Sequence, residues 1–71
     1  MTNTLEFKSA MVRKGLTIKK LATIVGISPT TLSYKINNKR EFTSSEILAL
    51  QDALGLDENE RWAIFFANNV D

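Results

Sequence analysis

The segment from Gly26 to Arg40 reads GISPTTLSYKINNKR. Within it Pro29, Thr30, Ser33, Tyr34 and Asn37 are spaced so that a helix would bring them to one side. Lys35, Lys39 and Arg40 follow directly behind. Hydroxyl, phenol and amide groups can donate and accept hydrogen bonds without the cost of desolvating a charge. The cations behind them would draw in an anion. The chain offers little other chemistry. It has no histidine, the commonest general base, and no cysteine for a disulfide or thiolate metal site. No glycine-rich phosphate loop, metal-ligand cluster or nucleophile–base pair is visible, so catalysis, a cofactor and a metal are not expected.

The net charge of +1 conceals a strong segregation. Residues 7–40 hold eight cations and no acid, whereas residues 41–71 hold seven acids and a single cation, Arg61. The two parts therefore carry +8 and −6, with Glu6 accounting for the remainder. A basic surface suited to a polyanion and an acidic surface facing elsewhere are implied; charges scattered unevenly by chance are the bland alternative. At 71 residues the chain is expected to form one domain, close to the size at which an unstapled core can fold. No stretch is apolar enough for a membrane span, and MTNTLEFKSA lacks the pattern of a signal peptide. The absence of cysteine fits a reducing, cytoplasmic setting.

Five helices should position these residues, near 4–14, 18–25, 29–36, 44–54 and 58–67. Thr17, Ser28 and Thr43 can each cap a helix, and each is bracketed by an apolar staple: Leu16 with Leu21, Ile27 with Leu32, Phe42 with Ile47. Pro29 sits at a first helical position, where its missing N–H is harmless. Glu46 completes a capping box with Thr43, and Asp57 with Glu60 opens the last helix. Each cap contributes about 1 kcal/mol. Gly15, Gly55 and the Asn37–Asn38 pair are expected stops. The second and third helices are too short to persist alone, so their apolar residues must share a core. These are Ile18, Leu21, Ala22 and Val25 on one helix, Leu32 and Ile36 on the other, with Phe7, Met11, Phe42, Ile47, Leu50 and Leu54 completing it.

Two short helices joined by a three-residue turn containing glycine make a helix-turn-helix, here residues 17–37. Ala22 is small enough for a close crossing, and Gly26 can take the positive φ of the turn. The stretch Leu16–Leu56, LTIKKLATIVGISPTTLSYKINNKREFTSSEILALQDALGL, resembles the phage-repressor helix-turn-helix family of lambda repressor and Cro type. The ending WAIFFANNV and the short length are similar to small single-domain Cro-like regulators. The resemblance implies an all-α, five-helix domain whose third helix enters the major groove of double-stranded DNA. It further implies a sequence-specific transcriptional regulator of repressor type, working at the nucleoid of a bacterial or phage-infected cell.

On that resemblance Pro29, Thr30, Ser33 and Tyr34 would meet base edges, where short or planar groups approach most easily. Thr17, Lys19, Ser28, Lys35, Asn37, Lys39 and Arg40 would meet phosphates, aided by the dipole at the start of the second helix. Ordinary solvated helix surface is the alternative for each, and Tyr34 could lie flat against the domain. The chain departs from the family at Ile18 and Pro29, where glutamines are frequent, so base reading must shift to Thr30, Ser33 and Tyr34. That departure leaves room for a second reading, a protein-interaction adaptor that has kept the fold and lost DNA. Trp62, Phe65 and Phe66 form a stripe on the last helix that is either a core lid or a two-fold homodimer contact. A dimer would read a pseudo-palindromic operator.

Overall fold

Each helix begins where a side chain can accept an early N–H group. The computed structural model describes residues 1–66 and gives α1 Thr4–Lys14, α2 Ile18–Val25, α3 Pro29–Ile36, α4 Ser44–Leu54 and α5 Glu58–Phe65. No strand occurs among the described residues. Thr17, Ser28, Thr43 and Asp57 cap α2 to α5 as expected, with complete capping boxes on α4 and α5. Asn3, which the sequence reading did not single out, caps α1 by accepting the Glu6 N–H at 3.1 Å. The fifth helix stops at Phe65, short of the expected 67, a position outside the described residues.

The turn between α2 and α3 depends on Gly26, at φ 85°, whose N–H donates to the Ala22 carbonyl. A side chain there would meet no neighbour, so the requirement is conformational rather than steric. Asn38 takes the left-handed conformation after α3, at φ 66°.

α2 packs on α3 and α4, while α1 packs on α5 and α4. Phe7, Leu21, Leu32, Ile36, Leu50 and Ile64 are enclosed at the centre. The Phe7 and Phe42 rings stack with centroids 5.9 Å apart, and Phe65 stands edge-on to both at 6.0 and 5.5 Å. This overturns one expectation. Phe65 is 3% exposed and belongs to the core, so it cannot contribute to a dimer face. On α5 the inward set is Arg61, Ile64 and Phe65, and Phe66, just beyond the helix, is half-buried against the core, which leaves Trp62 on the outer side.

Candidate nucleic-acid interface

With Leu32 and Ile36 sealed in the core, α3 has one open side. Pro29, Thr30, Tyr34 and Asn37 are exposed on it, and Ser33 is half-buried. The Tyr34 ring does not lie against the domain; it is 45% exposed. The Lys39 ammonium sits 5.6 Å from its centroid, a cation–π contact that places a charge beside the phenol. Arg40 is exposed next to it. Neutral groups and cations thus occupy adjoining parts of one surface.

Several of these side chains also serve the backbone. Ser28 Oγ accepts the Thr31 N–H at 3.0 Å and donates to Thr31 Oγ1 at 2.9 Å. A phosphate contact from Ser28 would have to displace the second bond. Asn37 Nδ2 donates to the Ser33 carbonyl at 2.9 Å, closing the last turn of α3, and makes a longer contact to Ser33 Oγ at 3.5 Å that a phosphate could replace. Thr17 Oγ1 accepts the Lys20 N–H, so its hydroxyl hydrogen can still be donated. Lys19 is exposed on the first turn of α2, beside Thr17.

Lys35 is the correction of greatest consequence. Expected at a phosphate, it is 8% exposed, and its Nζ donates to both Glu46 oxygens at 2.6 and 2.8 Å. The reason is geometric. Leu32, Lys35 and Ile36 are an i, i+3, i+4 set, so Lys35 lies at the margin of the inward stripe and faces α4 rather than solvent. A buried cation needs a hydrogen-bonded partner, and Glu46 supplies it.

Glu46 also accepts the Thr43 N–H at 2.9 Å, so one carboxylate caps α4 and anchors α3. Burial by itself pushes the Glu46 carboxyl up. The Lys35 hydrogen bonds, the Thr43 N–H, the Lys35 charge and the Thr43 hydroxyl outweigh it and hold the group below its ordinary value.

A further set of bonds reaches α3 from the start of the chain. Thr4 Oγ1 donates to the Ile36 carbonyl at 2.7 Å. The Asn38 amide pairs in both directions with the Thr2 backbone, accepting its N–H at 2.7 Å and donating to its carbonyl at 2.9 Å. Sequence inspection missed these contacts; a terminal segment running past a helix end leaves no periodic signal.

On α5 Trp62 is 54% exposed and stacks on Phe66 at 4.9 Å. Leu48 of α4 is also exposed. Arg13 is drawn toward the acidic part of the chain by Glu60, 3.6 Å away. No group of histidine, cysteine or acidic side chains able to hold a metal occurs among the described residues. Nor is any described helix long and apolar enough to cross a membrane.

A family model described as helix-turn-helix matches residues 7–61. No curated protein and no solved structure matches the chain.

Proposed function

Because the chain belongs to the helix-turn-helix family, matched from residue 7 to residue 61, we propose that this DNA-binding regulator is a Cro-like repressor reading the major groove with α3. The observation that carries the reading is the composition of the open side of α3: Thr30, Ser33 and Tyr34 outward, Lys39 and Arg40 adjoining, every large apolar side chain of the helix turned in. Pro29, Thr30, Ser33 and Tyr34 meet base edges. Thr17, Lys19, Ser28, Asn37, Lys39 and Arg40 meet phosphates and set register. Lys35 has no part in the contact. Repression follows by occluding a promoter, in the cytoplasm at the nucleoid.

Two copies associate through the outer side of α5, with Trp62 as the anchor and the half-buried Phe66 ring stacked against it, and read a pseudo-palindrome with recognition helices about 34 Å apart. Trp62→Ala should therefore weaken association in analytical ultracentrifugation while leaving the helical content unchanged. A parent protein that stays monomeric at high concentration, with and without operator, would remove the dimer.

Gel shifts in a salt series test the DNA contact itself. Lys19, Lys39 and Arg40 from each of two copies give a log–log slope of about −5, and a single copy about −3. Arg40→Ala should weaken binding to all sequences alike and flatten the slope by about one unit per copy. Ser33→Ala or Tyr34→Ala should instead change the preferred sequence, with about 1–3 kcal/mol at one base pair. If the three substitutions act identically, the division between base and phosphate contacts is wrong. An absence of affinity for any duplex would favour the adaptor.

A further inference from the structure

The C-terminal end of α3 is held by polar bonds from two sides, α4 and the start of the chain, all within residues 35–38. Lys35 is gripped by both oxygens of Glu46 on α4. The Ile36 carbonyl accepts the Thr4 hydroxyl at the start of α1. Asn38, just beyond the helix, exchanges two bonds with Thr2. The partners lie 11, 32 and 36 residues away in sequence, so none of these bonds is needed to form α3 itself. Its own start is already served by Ser28 and its interior by Leu32 and Ile36.

Apolar packing and polar bonds constrain a helix differently. Leucine and isoleucine tolerate small rolls and slides, because dispersion and burial change gradually with position. A two-oxygen grip on one ammonium, with distances of 2.6 and 2.8 Å, is satisfied over a far narrower range. A buried ion pair often adds little stability over apolar residues of similar size, and its better-attested use is to fix one arrangement among several. An eight-residue helix is about 12 Å long, so a pivot of about 10° moves its far end by about 2 Å. That exceeds the tolerance of a hydrogen bond to a base edge.

We propose that Glu46, acting through Lys35, and Asn38, acting through Thr2, are positioning residues that set the roll and tilt of α3 and thereby its sequence selectivity, without touching DNA. The inference rests on α3 being the reading helix. Selectivity is then determined partly on α4 and in the segment before α1, away from the contact surface. Weakening the clasp leaves most phosphate binding intact, because Lys19 stands on α2 and the exposed Lys39 and Arg40 side chains, though they follow the clasp directly, take no part in its bonds.

The test uses the full chain, a duplex selected from a random pool, and a random-sequence duplex at the same salt. In Lys35→Met/Glu46→Gln the glutamine can still accept the Thr43 N–H, so the α4 cap persists while the ion pair is gone. Asn38→Gly keeps the left-handed backbone and removes both bonds to Thr2. Each variant should lose tenfold or more of the affinity ratio between the two duplexes, with random-duplex affinity changed by less than threefold and cooperative thermal unfolding retained. Lys35→Arg, whose guanidinium can grip both oxygens, should restore most of the ratio.

Folded variants that keep the parental ratio within twofold overturn the proposal. Should the double variant fail to fold, the ratio for Asn38→Gly decides in the same way. A parent protein that prefers no duplex in the pool refutes sequence-specific reading by α3 itself, a result distinct from either.

Discussion

Glu46→Ala should destabilise the fold by about 3–5 kcal/mol, from the loss of one partner of a buried ion pair. Nearly the whole effect comes from what is left behind. The Lys35 ammonium, on a residue 8% exposed, would have neither oxygen to bond, and the α4 capping box would be broken as well. Against the 5–15 kcal/mol typical of small domains, a loss of that size leaves little margin. Urea unfolding followed by circular dichroism at pH 7 measures it directly. Lys35→Met/Glu46→Gln removes both charges together and should cost far less, because no ion is stranded. If the single and double variants were equally destabilised, the pair would be ordinary packing.

The same carboxylate gives the fold an acid limb. Its pKa is depressed in the folded state relative to an ordinary value of 4.5, so it binds a proton less readily there than in the unfolded chain. Its stabilising contribution is therefore complete above about pH 5 and disappears as pH falls through the folded value. The parent should lose stability over that acid range more steeply than the double variant, which has nothing to titrate at position 46.

Phe7→Ala is the second large effect, at about 3–5 kcal/mol. Phe7 is fully enclosed, stacked on Phe42 and met edge-on by Phe65, so truncation opens a cavity where α1, α5 and the loop before α4 converge. A drop in unfolding midpoint of more than about 12 °C is expected for a chain of this size. Trp62→Ala on the outer side of α5 should change the stability of the single copy by only about 1 kcal/mol, chiefly through loss of the stack on Phe66. A reversal of these two results would mean that α5 is rotated from the arrangement described.

Local chemistry was readable from sequence wherever the responsible residues are neighbours. Thr17, Ser28, Thr43 and Asp57 each sit beside the helix they cap, and Gly26 sits in the turn it permits, so their roles follow from short windows. The inward direction of α3 was readable from Leu32 and Ile36. Two misplacements share one cause: the width of an inward stripe depends on what packs against it. Lys35 completes the i, i+3, i+4 set with Leu32 and Ile36, but an amine was expected to reach solvent. Only the position of Glu46, on another helix, explains why it does not. On α5 the aromatic spacing 62, 65, 66 suggested one stripe, whereas Ile64 and Phe65 turn inward and divide it. The contacts of Thr2 and Thr4 with the end of α3 join distant parts of the chain, and no window of sequence contains both partners.

The central claim is that the open side of α3 is the surface that meets DNA. Amide chemical-shift mapping by NMR during titration with a duplex tests it most directly. The account predicts that the largest changes fall on Ser28–Tyr34, Asn37–Arg40 and the first turn of α2, with α4 little affected beyond its N-terminal turn. Changes concentrated on Leu48–Leu54 of α4, with α3 unmoved, would contradict it.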